Sequence, residues 1–328
     1  MKCINRACAL LISFCLVLIN VSCNTKSNDA IYVPFERNNE SSSISLIPNN
    51  NLYDYYVPYA HNLCVDEGPT SYVNVNLEGA YAAGLFDVTN NKVLYQQNMY
   101  ETMTPASITK LLTTLVALKY CDLNQVLEFT SDCEIKEPGA QKIGFKPGDK
   151  VTLDQALNIL LLYSANDVAM MIAVNYEDGY DEFLSLMNEE AAKIGATHTN
   201  FVNPHGLTED THESSVYDLY LILNELLNYQ KFKDIVCQSG YTTSYTKADG
   251  TTKTIEISTT NNYINGKKTT PEGFTVLGGK TGTTEAAGKC LIIYFVNSDG
   301  NEYIACILKD SDYDILYEDM NRLMEATH

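Results

Sequence analysis

Three short motifs carry the reactive side chains of this 328-residue chain: Ser107-Ile108-Thr109-Lys110, then Ser164-Ala165-Asn166, then Lys280-Thr281-Gly282-Thr283-Thr284. A serine hydroxyl is a poor nucleophile until a base takes its proton, and a residue three further along a helix lies one turn away on the same face. Lys110 can be that base only as a neutral amine. Burial in an apolar pocket and a neighbouring cation such as Lys280 both lower a lysine pKa. Ser164 and Asn166 add a second hydroxyl and an amide, and a strand bearing Lys280 adds a cation and backbone donors. The set points to acyl transfer through a serine nucleophile.

None of the motifs is decisive alone. A chain of this length should contain a Ser-x-x-Lys or a Ser-x-Asn about once by accident, and a Lys-Thr-Gly in roughly one such chain in ten. The weight therefore rests on local context. Pro105 precedes Ile108, Leu111, Leu112, Leu115, Val116 and Leu118 at helical spacing, so Ser107 reads as the first turn of a helix with Lys110 one turn in. A nucleophile there sits beside free backbone N–H groups that could hold an oxyanion. A plain helix-capping role for Ser107 is disfavoured, because such a cap would want Glu or Gln at position 110.

The segment Pro105-Ala106-Ser107-Ile108-Thr109-Lys110-Leu111-Leu112-Thr113 resembles the active-site helix of the low-molecular-mass penicillin-binding proteins that act as D-alanyl-D-alanine carboxypeptidases. Leu161 to Asp167, Phe201-Val202-Asn203-Pro204-His205-Gly206-Leu207 and Gly278 to Thr284 resemble further blocks of that family in the same order, so the likeness runs from about Gly79 to the C-terminus. It implies catalytic roles for Ser107, Lys110 and Ser164. Ser107 would attack the carbonyl between two D-alanines, Lys110 would accept its proton, and Ser164 would relay a proton to the departing nitrogen. Asn166, Lys280, Thr281, Gly282 and Thr283 would bind substrate: Asn166 its amide, Lys280 with Thr281 and Thr283 its terminal carboxylate. The amides of Ser107 and Thr283 would form the oxyanion hole. His205 invites a triad with Ser107, but its segment reads as a structural turn and Lys110 already supplies a base.

Two other functions share the motifs. A class A β-lactamase adds a deacylating glutamate in a Glu-x-x-Leu-Asn block, and here Glu225-Leu226-Leu227-Asn228 is one residue short and lies in an apolar helix. A non-catalytic penicillin-sensing or wall-binding module would keep the fold without turnover. The expected partners are peptidoglycan stem peptides, with β-lactam antibiotics as covalent inhibitors. One departure stands out: many relatives have an arginine after a Gly-Asn pair in the strand following the final hairpin, where this chain has Gly300-Asn301-Glu302. A glutamate there would repel a substrate carboxylate.

With 22 basic against 41 acidic residues, a formal charge of −19 disfavours nucleic acid as a partner. The chain begins with Lys2 and Arg6 flanking an apolar stretch from Ala7 to Ile19, too short to span a bilayer, which reads as an export signal over residues 1–22. Val21-Ser22-Cys23 resembles a lipoprotein processing site, making Cys23 the expected lipid-bearing residue of an extracytoplasmic, membrane-anchored protein; Asn20 departs from that pattern and leaves plain secretion as the alternative. Residues 23–52, rich in Asn and Ser, read as a flexible tether, and 53–328 as the catalytic domain, with no second C-terminal β domain of the kind many relatives carry. The six cysteines beyond Cys23 show no dense framework and read as small buried hydrophobes, with a bridge such as Cys121 to Cys133 as an alternative. No Cys or His spacing resembles a metal site, so neither metal nor cofactor is expected.

The positioning elements follow from pattern. Ala80 to Val88 and Lys92 to Gln96 read as a hairpin leading to the Ser107 helix. Thr152-Leu153-Asp154-Gln155 is a capping box opening a helix through Leu162; Asp167 to Tyr176, Asp181 to Ile194 and a helix from Ser215 to about Tyr229 complete a helical middle. Strands return at Tyr241 to Lys247, Lys253 to Ser258, Gly278 to Thr284, Cys290 to Val296 and Glu302 to Leu308, before a closing helix from about Asp314 to Ala326. This is an α+β sandwich whose antiparallel sheet joins N- and C-terminal strands. The resemblance implies the serine β-lactamase and DD-peptidase fold.

Overall fold

The computed structural model describes residues 62–69 and 72–327. The expected signal peptide, Cys23 lipidation site and tether lie outside the described residues. No helix among the described residues is long and apolar enough to cross a membrane.

Strands β1 (Ala82–Asp87) and β2 (Lys92–Gln97) form the expected hairpin. They join β7 (Phe274–Thr284), β8 (Gly288–Asn297) and β9 (Glu302–Asp310) in an antiparallel sheet of order β2-β1-β9-β8-β7. The chain thus closes its N-terminal hairpin against its C-terminal strands, through the register Ala83↔Ile307 and Leu85↔Ala305. Side chains alternate across this sheet because successive residues of a strand point to opposite faces. Leu85, Leu291, Ile293, Phe295 and Ile307 face a closing helix, α7 (Tyr313–Glu325), and pack on its Leu316, Met320 and Leu323. Ala82, Phe86, Cys290, Ile292, Ile304 and Cys306 face the helical region instead. Gly84 shares that second face, where a Cβ would lie 2.8 Å from Val216 Cγ1.

At the centre of the helical region is α1 (Lys110–Tyr120), buried on all sides through Leu111, Leu112, Leu115, Val116 and Ala117. An apolar helix with no wet face must sit inside a layer of others, here α2 (Leu153–Leu162), α3 (Asn166–Val174), α4 (Tyr180–Lys193) and α5 (Val216–Leu226). The capping box at α2 is present, Thr152 accepting from the Gln155 amide and Gln155 returning to the Thr152 amide. Ser215 caps α5 by accepting from the Asp218 amide.

Sequence pattern differs from structure in two places, and the cysteines take the unbridged form. The helix expected to run from Ser215 to Tyr229 ends at Leu226, and a separate α6 (Gln230–Val236) follows it. The hairpin β5 (Gly240–Thr246) and β6 (Thr252–Ser258) belongs to a second, four-stranded sheet with short β3 (Val126–Glu128) and β4 (Lys150–Thr152), joined through the pair Lys150↔Thr246. Cys121 and Cys133 are both free, and Cys64, Cys133, Cys290 and Cys306 are buried thiols; burial raises the thiol pKa in each.

Candidate active site

Ser107 lies in a 3-10 turn, Ala106–Thr109, rather than in the first turn of an α-helix, which begins only at Lys110. The cause is local. Ala106 has φ 49°, and the turn is pressed by Gly206, where a Cβ would stand 2.0 Å from the Ala106 carbonyl oxygen. The tighter winding still delivers the base, since Lys110 Nζ donates to Ser107 Oγ at 2.8 Å. The same ammonium donates to Asn166 Oδ1 at 2.8 Å and to the His205 carbonyl.

Lys110 has no exposed surface. Burial, and then the charge of Lys280, hold its pKa well below the usual lysine value, while Asp167 opposes the shift. Burial likewise lowers Lys280 to about 7. Burial therefore favours the neutral amine at both positions, the form that a proton acceptor needs.

Ser164 sits in the break between α2 and α3 with φ 65°, a left-handed conformation that costs a non-glycine residue of order 1 kcal/mol or more. That conformation aims its hydroxyl at β7, where Lys280 Nζ donates to Ser164 Oγ at 2.8 Å and to the Thr281 carbonyl at 2.9 Å. Asn166, the first residue of α3, is held from both ends: its Oδ1 accepts from Lys110, and its Nδ2 donates to the Gln141 carbonyl at 3.1 Å. Its amide thereby positions Lys110.

Strand β7 is the outer strand of its sheet and runs past the nucleophile's turn. Gly282 makes that passage possible. A Cβ on it would lie 2.8 Å from the Pro105 carbonyl oxygen and 3.2 Å from the Ser107 nitrogen. Ser107 and Thr283 consequently line one cleft. Thr281 Oγ1 pairs with Thr260 Oγ1 at 2.6 Å, and Thr283 Oγ1 pairs with the Tyr313 hydroxyl at 2.5 Å. Ser107, Ser164, Asn166, Thr281, Gly282 and Thr283 all line one open cleft of about 1020 Å³. Lys110 and Lys280 lie beneath its wall.

His205 is no triad member. Its Nδ1 accepts from the Leu207 amide, burial drives its pKa down to about 3, and Asn203 Oδ1 holds the amides of His205 and Gly206 in a tight turn. Glu302 is also remote. It pairs with Val296 at the hairpin end of β8–β9, whereas Lys280 pairs with Ile292, and its amide donates to Thr89 Oγ1. It is absent from the cleft wall.

Several participants had no sequence signal. Gln141, Thr260 and Tyr313 belong to a loop, a strand exit and a helix start, and only the folded chain brings them to the cleft. His212 could have been suspected only as a lone histidine. Its Nδ1 accepts from the Val202 amide, so Nε2 carries the proton and donates to Thr109 Oγ1 at 2.8 Å, pinning the residue before Lys110.

Residues 74–312 match the profile of the D-alanyl-D-alanine carboxypeptidase family. The chain is 32% identical over 215 residues to the D-alanyl-D-alanine carboxypeptidase DacF of Bacillus subtilis, covering 65% of this chain and 53% of that protein. It thus spans about half the length of that relative. A second D-alanyl-D-alanine carboxypeptidase, of Mycobacterium tuberculosis, is 30% identical over 208 residues, covering 63% of this chain and 67% of that one. Among solved structures, the fold is similar to that of a Streptomyces DD-transpeptidase, with TM-score 0.71 at 23% identity, covering 77% of this chain and 98% of that one.

Proposed function

The chain belongs to the D-alanyl-D-alanine carboxypeptidase family, and from that premise we propose that it is a serine-type D-Ala-D-Ala carboxypeptidase that removes the terminal D-alanine from peptidoglycan pentapeptide stems. The observation that carries this reading is the 2.8 Å hydrogen bond from a fully buried Lys110 to Ser107 Oγ, with Lys280 beside it to favour the neutral amine.

In the acylation step Ser107 Oγ attacks the carbonyl carbon between the two D-alanines, and its proton passes to Lys110 Nζ. The oxyanion that develops lies in the gap between the Ser107 and Thr283 amides, where loss of one donor typically costs about 3 kcal/mol in kcat. The C–N bond then breaks. The leaving nitrogen takes the proton that Lys110 received, relayed by way of Ser164, whose hydroxyl is held by Lys280, and Lys110 is neutral again. Water then attacks the Ser107 ester and gives its proton to Lys110, which passes it to Ser107 Oγ as the ester C–O bond breaks. Substrate binding falls to Asn166 and to the β7 segment Lys280, Thr281, Gly282 and Thr283. A penicillin would enter as an acyl donor at the same serine.

A β-lactamase reading needs a carboxylate to activate the deacylating water. Among the described residues no carboxylate makes a hydrogen bond to Ser107, Lys110 or Asn166, and Glu225 bonds Asn228 at the end of α5. For the N-terminus we propose export and a lipid anchor at Cys23, with the catalytic domain on the outer side of the membrane.

The test is release of free D-alanine from a pentapeptide ending in D-Ala-D-Ala, run beside labelling by a fluorescent penicillin. Release together with a long-lived label on Ser107 supports the carboxypeptidase. Rapid penicillin turnover without release would favour the β-lactamase, and a stable label without release would favour a sensor. Loss of membrane association in Cys23→Ala tests the anchor.

A further inference from the structure

Tyr313, the first residue of α7, projects from outside the three motifs onto the cleft wall beside Thr283. Its hydroxyl and that of Thr283 lie 2.5 Å apart, and Thr283 Oγ1 also donates to the Gly282 carbonyl, so Tyr313 is the donor of the pair. Both hydroxyls are donors available to an arriving anion, because each can rotate its proton outward.

A cation stands with them. Lys289 is the direct cross-strand partner of Thr283, which places both side chains on one face of the sheet. Its Nζ lies 4.5 Å from the centroid of the Tyr313 ring, within the range of a cation–π contact. The strand pairing shifts register between Lys289 and Leu291, with Lys309 opposite in a left-handed conformation at φ 55°. Such bulges re-aim side chains beside functional sites.

Lys289 has no carboxylate within ion-pair distance among the described residues. The acids nearest Tyr313 in sequence are engaged elsewhere: Asp312 caps α7 and Asp314 pairs with Lys268. Lys280 donates to Ser164 and the Thr281 carbonyl, so Lys289 adds a second cation to the β7–β8 pair.

We propose that Tyr313 and Lys289 form a gated carboxylate-recognition pair: an acyl donor's free carboxylate displaces the Tyr313–Thr283 hydrogen bond, takes both hydroxyl donors and is neutralised by Lys289. The pair determines specificity for acyl donors that end in a free acid. This deepens the carboxypeptidase reading and rests on it for the natural substrate, but its test needs only acylation of Ser107.

The experiment compares Ser107 acylation rates by benzylpenicillin and by its methyl ester, which differ only in the charge of the carboxyl group. In the wild type the free acid should react faster. Lys289→Gln should cut the acid-to-ester ratio about tenfold through a slower acid reaction with the ester rate unmoved, and Lys289→Arg should restore most of it. Tyr313→Phe keeps the ring under Lys289 and removes one of the two hydroxyl donors, so its acid-to-ester ratio should fall with the ester rate again unmoved. An unchanged ratio in Lys289→Gln overturns the proposal, as does an equal loss with acid and ester. D-Alanine release by the same wild-type preparation is measured in parallel. Absence of release with acid-selective acylation overturns the hydrolase reading alone, and absence of acid selectivity with release overturns the gate alone.

Discussion

Gly282 and Ser107 are in contact across the floor of the cleft: a Cβ at Gly282 would lie 3.2 Å from the Ser107 nitrogen, 3.1 Å from Ala106 Cβ and 2.8 Å from the Pro105 carbonyl oxygen. The strand that carries Lys280 and the turn that carries the nucleophile are therefore spaced by a missing side chain. Gly282→Ala should push β7 off this turn and slow penicillin labelling of Ser107 by at least about tenfold, the scale expected when a positioned oxyanion donor is displaced. Thermal stability should fall by only about 1–3 kcal/mol, the cost of overpacking. Wild-type labelling rates in that variant would show that the gap tolerates a methyl group.

Lys110 is the base only if its removal is felt in acylation itself. Lys110→Ala should slow labelling by at least about a hundredfold, the lower range for losing a positioned proton acceptor. Lys110→Arg should fare no better, since a guanidinium stays protonated. Near-normal labelling by either variant would remove Lys110 from the mechanism.

The charge of Lys280 favours the neutral form of Lys110, and Asp167 favours the charged form. Removing a neighbouring cation raises a lysine pKa. Lys280→Gln should therefore slow acylation and also move the acid limb of its pH profile upward. Asp167→Asn should move the limb downward. A profile whose height changes while its limb stays fixed in both variants would mean that Lys110 does not set the limb.

Much of this site was legible in the sequence because its parts are local. The Ser107–Lys110 spacing, the Thr152–Gln155 capping box and the alternation of β8 each follow from a few neighbouring residues. What escaped was decided by distant contacts. α6 is only seven residues long, and it fits where a Cβ on Gly278 would stand 2.3 Å from Val236 Cγ2, a tertiary relationship no periodicity records. The second sheet hangs on the pair Lys150↔Thr246, between strands almost a hundred positions apart. Glu302 looked like a carboxylate-facing residue by its place after a Gly-Asn pair, yet the strand register puts it at the opposite end of β8 from Lys289. Tyr313 carries no motif at all and reaches the cleft because α7 starts three residues after β9 ends.

Two buried histidines tie stability to pH. Burial, with a smaller contribution from Lys110, lowers His212 to about 4 and His205 to about 3, from an ordinary value of 6.5. Between the folded and unfolded pKa values the unfolded chain binds the extra proton, so stability is full above pH 6.5 and is lost as pH falls toward 4. For His212 the loss between pH 7 and 4.5 is about 2–3 kcal/mol. His212→Gln should flatten the fall in urea midpoint over that range while lowering stability at pH 7, where the Thr109 contact is lost. A variant that keeps the full wild-type pH dependence would place the titration elsewhere.

Ser164 holds a left-handed backbone at φ 65° to offer its hydroxyl to Lys280. Alanine at an ordinary position is more stable than glycine by roughly 0.5–1 kcal/mol. At φ 65° the order should invert, because glycine reaches this region without the Cβ clash that strains alanine. Ser164→Gly should therefore unfold at a higher urea concentration than Ser164→Ala, by about 1 kcal/mol in stability. The two variants lack the same hydroxyl, so they should lose D-alanine release to a similar extent, which separates the strain from the chemistry. Equal stabilities, or alanine above glycine, would mean that the backbone relaxes once the hydroxyl is gone and that Lys280, rather than the α2–α3 break, imposes the conformation.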